Sequence, residues 1–175
     1  MSFVVFPAGP GDAADLAHVH VTSWRETYRG LLPDAYLTWL PEEPHARRFA
    51  RLLLEPREGA VTLAAANRGG IVGYAEGGWS RAGAPREAEI ATLYVLRVAQ
   101  GHGLGRELIT SVARAMVAQG AGSLVISVLR DNIPARGFYE HLGGVADPPR
   151  SERGPSGMVL QEVAYRWPDI RTVLD

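Results

Sequence analysis

The amino-acid sequence predicts one α+β domain of three layers: a mixed, mostly antiparallel, twisted sheet flanked by helices. Three observations carry the prediction. Strand-like and helix-like runs interleave along the chain. Two strand-like runs, 61–67 and 71–79, are separated only by the turn Asn67-Arg68-Gly69-Gly70 and therefore make a hairpin. The run 123–129 is almost unbrokenly apolar, as a strand buried on both faces requires. At 175 residues, 46% hydrophobic and 21% charged, the chain has the length of one domain and an ordinary globular composition.

The elements follow in order. Residues 2–7 form a first strand ending at Pro7 and Gly9. Asp12 is placed to cap a helix over 12–28, whose Leu16, Val19, His20, Ser23 and Tyr28 are spread over helical spacing, and Gly30 ends it. Pro33 suits the first turn of a short helix through Leu40, with Asp34 near its positive end. A third helix over 44–54 carries Phe49, Leu52 and Leu53. After the hairpin and a loop over 81–85 comes a long strand over 87–96. Alternation along an unbroken strand puts Glu87, Glu89, Ala91, Leu93 and Val95 on one face and Ile90, Thr92 and Tyr94 on the other; a bulge would break that parity. Leu104, Leu108, Val112 and Ala115 line one face of a helix over 104–118. The strand 123–129 and a helix over 132–141 follow, and Val145 and the run 158–167 supply the last strands. Residues 147–157, with Pro148, Pro149, Gly154 and Pro155, read as a mobile polar loop.

Composition excludes several classes. A net charge of −1 gives no general nucleic-acid footprint. There is no cysteine, hence no disulfide, thiolate nucleophile or zinc-thiolate site. No apolar run approaches the ~18 residues of a membrane span, and the first six residues lack the basic region and apolar core of a signal peptide, so the protein is expected in the cytoplasm. His18 and His20 point to different sides of a helix, while His45, His102 and His141 stand alone, so no metal site is supported.

Chemistry first appears at Gln100-Gly101-His102-Gly103-Leu104-Gly105-Arg106. A Gly-rich turn between a strand and a helix N-terminus offers unpartnered N–H groups and the positive end of the helix dipole to an anion. Glycine lets a phosphate approach the backbone and lets the chain take positive φ. All 18 basic residues are arginine, so the lysine of a P-loop is missing. A dinucleotide fingerprint fails because Arg106 stands where its third glycine belongs. A tight turn without a ligand is the plain alternative.

The pattern Gln100-x-x-Gly103-x-Gly105 resembles the coenzyme-A pyrophosphate loop of the GNAT acetyltransferase superfamily. About thirty residues on, Asn132-Ile133-Pro134-Ala135-Arg136-Gly137-Phe138-Tyr139-Glu140-His141-Leu142-Gly143-Gly144 resembles the family's second cofactor motif, in the family's order and spacing. The likeness covers roughly 64–167. It implies a GNAT-type fold over 1–175, with a helix-rich substrate half at about 1–60 and a cofactor-binding core at about 61–167. A weaker likeness, Ser23-Trp24-Arg25-x-x-Tyr28-x-Gly30-Leu31-Leu32-Pro33, is shared with a bacterial subgroup that includes polyamine acetyltransferases.

The resemblance implies acetyl-coenzyme A as acyl donor and a primary amine, on a small molecule, as acceptor. Tyr139 stands at the position of the general acid that protonates the departing thiolate; the alternative is a packing residue beside Phe138. Glu89 is the candidate base, with burial expected to raise its pKa; a solvated charge or a water chain is the alternative. Leu93, Tyr94 and Val95 are expected to bind the thioester carbonyl and the pantetheine arm through their backbone. Gln100, Gly101, His102, Gly103, Leu104, Gly105 and Arg106 cradle the pyrophosphate, with the Arg106 side chain either on phosphate or in solvent. Asn132 caps its helix and with Phe138 adjoins the cofactor. Trp24, Tyr28 and Trp79 are candidates for the acceptor pocket, as opposed to core aromatics. The other readings are a non-catalytic acyl-coenzyme-A sensor, transfer to a protein amine, and transfer of a longer acyl group. A homodimer through the last strand is expected if Val159, Val163 and Tyr165 are surface residues; packing inward is the alternative.

Overall fold

The computed structural model describes residues 2–154 and 157–175, so Pro155 of the expected loop lies outside the described residues. Its elements are β1 (Val4–Pro7), α1 (Ala13–Tyr28), α2 (Asp34–Thr38), α3 (Glu42–Leu54), β2 (Val61–Asn67), β3 (Gly70–Trp79), β4 (Glu87–Val95), α4 (Leu104–Ala118), β5 (Ser123–Leu129), α5 (Ile133–His141), β6 (Val145–Ala146), β7 (Arg150–Arg153) and β8 (Val159–Trp167). The strands form one sheet in the order β1-β2-β3-β4-β5-β8-β6, with β7 also paired to β8. Each described pair is antiparallel except β4–β5. Those two are joined through α4, and such a crossover is what a parallel neighbour needs.

Side-chain alternation sorts the sheet into two cores. Leu63 and Ala65 of β2 face α4, where Leu104, Leu108, Ile109, Val112 and Met116 are buried with Tyr139 of α5. Ala64 of β2 and Tyr74 of β3 face the other way, onto Leu16, Ala17 and Val19 of α1 and Phe49 of α3. Fully burying one such aliphatic side chain contributes about 1.5–3 kcal/mol, so each layer is held by several of them.

The sequence reading departs from the fold in four places. Asp12 does not cap α1 with its side chain; its carboxylate accepts from the Gly9 N–H at 2.8 Å and closes the 3-10 turn before the helix. Helix α3 starts at Glu42, ahead of Pro44, because proline fits the first turn. Residues 150–153 of the expected loop form β7, paired with Val159–Glu162 of β8. Finally, Val163 and Tyr165 are buried in the core and only Val159, 68% exposed, remains at the surface. The apolar character of β8 is therefore satisfied within the chain. Among the described residues no helix is long and apolar enough to cross a membrane.

Candidate active site

The sheet opens between its two parallel strands. Pairing of β4 with β5 runs from Glu87↔Ser123 to Ile90↔Ile126 and stops there. Beyond it, β4 stays on β3 to Val95 and β5 stays on β8 to Leu129. The cause is a bulge. On β3, Glu76 stands opposite Thr92 and the next residue, Gly77, opposite Ile90, so Ala91 is the extra residue of β4. A bulge bends its strand and increases local twist, which swings the end of β4 away from β5. The result is a cleft of about 1130 Å³.

The bulge also resets which way the side chains point. Ile90, Leu93 and Val95 pack with the α4 core, whereas Tyr94 packs with the α1–α3 core. Glu89 therefore does not share a face with Leu93 and Val95, as unbroken alternation predicts. It lies on the opposite face, in an adjoining cavity with Ser80, Arg81 and Ser127.

The Gly-rich turn forms one end of the cleft. Gly101 and Gly103 hold φ of 78° and 80°, in the left-handed region that favours glycine, and so turn the chain into α4. The N–H groups of Leu104, Gly105 and Arg106 precede the first intrahelical bonds. Among the described residues, those of Gly101, His102 and Gly103 have no backbone acceptor either. The Gln100 side chain donates to the Val95 carbonyl at 2.9 Å and ties the loop to β4. The His102 ring is exposed, bonded to the Gln100 carbonyl at 2.8 Å and edge-on to Phe3. Leu104 sends its side chain into the core and offers backbone alone. Gly105 brings α4 close to α5, since a Cβ there would lie 3.2 Å from the Phe138 ring. Arg106 is exposed at the rim.

Helix α5 forms the second wall. Asn132 caps it by accepting from the Ala135 N–H at 3.3 Å, and Phe138 and Tyr139 line the cleft nearly two turns on. Tyr139 is buried, stacked among Phe138, Tyr165 and Trp167 at 5.5 to 6.4 Å. Its hydroxyl makes no hydrogen bond among the described residues. Burial, then the neighbouring Tyr28, pushes the phenol pKa up, so the group stays protonated at neutral pH.

The third wall comes from α1. Trp24 and Tyr28 line the cleft, and the Tyr28 hydroxyl meets that of Tyr94 at 2.9 Å. Behind them His20 Nδ1 lies 2.6 Å from the Tyr74 hydroxyl, and the His20 and His45 rings lie 4.4 Å apart. His45 is thus not isolated, as its sequence position implies. Trp79 does not belong to this wall; it is 40% exposed and packs against Gly59 at the far end of β3. Trp39 is 82% exposed. Among the described residues no group of three potential ligands is arranged to hold a metal.

His20 titrates far from its ordinary value. Burial, then His45 and Arg48, lowers its pKa from 6.5 to about 3. The unfolded chain therefore binds a proton that the folded protein refuses. The stability from neutral His20 is fully present above pH 6.5 and is lost as pH falls toward 3. By pH 4.5 the loss is about 2–3 kcal/mol. We expect urea midpoints of the wild type to fall between pH 7 and pH 4.5, and those of the His20→Phe, Tyr74→Phe double variant to fall much less. Equal falls would refute the assignment.

Buried carboxylates complete the picture. Glu89 accepts from the Arg81 N–H at 2.9 Å and from its guanidinium at 2.6 to 3.2 Å. Burial raises its pKa, but Arg81 outweighs burial and holds the carboxyl below the usual range. The raised value expected from burial alone is therefore corrected. Sequence reasoning also missed the Tyr94 side chain, Tyr74 and Glu162. Tyr94 was legible only as backbone, because its hydroxyl contact is made across 66 residues.

A bulge-split parallel pair, a glycine turn with unpartnered N–H groups and a buried phenol facing one cleft define an acyl-coenzyme-A acyltransferase. The chain belongs to the acetyltransferase (GNAT) family, whose model matches residues 22–144. It is an N-acetyltransferase with acetyl-coenzyme A as donor. It is 29% identical to the uncharacterized N-acetyltransferase YuaI of Bacillus subtilis, over 91% of this chain and 89% of that protein. The fold is similar to PaiA N-acetyltransferase from Thermoplasma acidophilum in complex with coenzyme A (TM-score 0.71, 20% identity, 93% of this chain and 98% of that one). It is also similar to YncA of Salmonella typhimurium, a putative acetyltransferase with its cofactor acetyl-CoA (TM-score 0.70, 18% identity, 100% and 95%).

Proposed function

We propose that the protein transfers the acetyl group of acetyl-coenzyme A to a primary amine of a small molecule, in the cytoplasm, by direct attack within the β4–β5 cleft and with Tyr139 as general acid. The observation that carries the reading is the meeting of two features in one cleft: the unpartnered N–H groups of residues 101–106 at one end and the uncommitted Tyr139 hydroxyl on its wall. The coenzyme A and acetyl-CoA of the two structural neighbours support the donor.

In this reading the donor pyrophosphate accepts from the backbone of Gly101 to Arg106, with the Arg106 side chain as countercharge. The pantetheine arm follows the β4 edge released from β5 at Leu93, Tyr94 and Val95, flanked by Asn132 and Phe138. A backbone N–H of that edge polarises the thioester carbonyl. Trp24 and Tyr28 bound the acceptor. Tyr139 gives its proton to the leaving sulfur. Glu89 is not carried forward as base, because Arg81 already holds its carboxylate.

The experiment is thiol release from acetyl-coenzyme A against a panel of amines. Turnover of small amines supports the reading; turnover of peptide amines alone would move the acceptor to proteins; no turnover of any would refute it. Pairing of two chains is tested by light scattering, where 18.9 kDa refutes a homodimer and twice that supports it.

A further inference from the structure

We propose that Glu162 is the residue that receives the acceptor's ammonium group and takes a proton from it. This rests on the reading of the cleft as an amine acetyltransferase site.

Glu162 stands opposite Leu129 in the β5–β8 register, beside the opened end of β5. Its neighbours Val163 and Tyr165 face the α4–α5 core, so Glu162 lies on the face that carries Glu89. It lines both the main cleft and the adjoining cavity of Glu89 and Ser127.

What distinguishes it is that, among the described residues, no guanidinium hydrogen-bonds its carboxylate. Four carboxylates of this sheet face are buried or half-buried. Glu76 is bonded by Arg48 at 2.9 and 3.1 Å, Glu87 by Arg166 at 2.5 Å and Glu89 by Arg81. Glu162, 28% exposed at its side chain, has only Arg150 at 3.9 Å, beyond hydrogen-bond reach. The Arg150 Nε is itself 3.2 Å from Glu152. Among the described residues the Glu162 carboxylate accepts no hydrogen bond.

Its surroundings suit proton acceptance. The charged and titratable groups around it include Arg81 after β3, Glu89 on β4, Arg150, Glu152 and Arg153 on β7, and Tyr28 on α1, with Arg153 lining both cavities beside it. Burial, then Glu152, raises its pKa, while Arg150 and Arg81 oppose. Glu162 in turn raises the pKa of Tyr28, and Tyr28 that of Tyr139, and all three residues line the main cleft. A substrate cation suits this cleft, where, among the described residues, the half-buried Glu162 carboxylate accepts no hydrogen bond and has Arg150 only at 3.9 Å.

The balance is simple. Glu162 takes one proton from the ammonium and passes it to solvent. The free amine nitrogen attacks the thioester carbon; the C–N bond forms and the C–S bond breaks. The second nitrogen proton is lost, and the sulfur gains one from Tyr139, which is reprotonated. An ammonium and a thioester become an amide, a thiol and a free proton.

The test uses the full chain with ethylamine, benzylamine and alanine amide as acceptors. Glu162→Gln should lower acceptor kcat/KM about 10²-fold and remove the limb on which kcat/KM rises with pH, while Glu162→Asp retains that limb. The stabilisation of each variant by acetyl-coenzyme A should match the wild type. Glu162→Gln with unchanged acceptor kcat/KM and an unchanged pH limb would overturn the assignment. A wild type that is stabilised by acetyl-coenzyme A but acetylates none of the three amines would overturn the acceptor reading on which it rests.

Discussion

We expect Gly103→Glu to abolish the stabilisation that acetyl-coenzyme A should confer on the protein. At a hundredfold excess over Kd a ligand bound only by the folded state adds about 2.7 kcal/mol, and the wild type should show that gain as a rise in Tm. Gly103 is the N-cap of α4 with φ of 80°, and nothing lies within 4 Å of the Cβ that a substitution would add. A side chain there is strained by about 1–2 kcal/mol in the backbone but meets no protein atom. The fold therefore survives, and a carboxylate at a helix N-terminus even offsets part of the strain. What it cannot coexist with is a second anion on the same N–H groups. Gly103→Ala carries the strain without the charge and should keep part of the gain. A rise with NAD equal to that with acetyl-coenzyme A would refute the donor assignment, and an undiminished rise in Gly103→Glu would refute the loop as its site.

Tyr139→Phe should lower kcat by about 10²-fold with donor affinity nearly unchanged, the size expected when a general acid is lost. The ring contacts with Phe138, Tyr165 and Trp167 are kept. The hydroxyl has no hydrogen-bond partner among the described residues, so its removal orphans no buried group and Tm should barely move. Because burial holds the phenol pKa up, wild-type Tyr139 stays protonated through neutral pH and contributes no loss of rate there as pH rises. An unchanged kcat would mean that solvent protonates the thiolate or that a step other than chemistry limits turnover.

How much of this was legible differs from element to element. The glycine loop could be read because its geometry is local: consecutive backbone N–H groups, two residues needing positive φ and a helix start all lie within residues 100–106. The cap at Asn132 and the Phe138–Tyr139 pair were legible for the same reason, as was the hairpin of β2 and β3. Trp24 and Tyr28 sit in the cleft as expected, whereas Trp79, equally aromatic, does not. Aromatic character says that a residue seeks a buried surface and not which one.

The sequence by itself determined the layered α+β architecture, the glycine turn that opens α4 and the Phe138–Tyr139 pair on α5. These follow from period, turn chemistry and helix ends, which act over a few residues. Only the tertiary structure decided the chemistry of the carboxylates. The Ala91 bulge is defined by register against β3, and it alone separates Glu89 from the face of Leu93. Arg81, eight residues away, then lowers the Glu89 pKa that burial raises. Glu162 arrives from β8, 73 residues beyond Glu89 in sequence yet in the same cavity, without an arginine in hydrogen-bond reach. A carboxylate's pKa depends on which charges and which burial surround it in space, and those are set by strand register between distant segments rather than by neighbours along the chain.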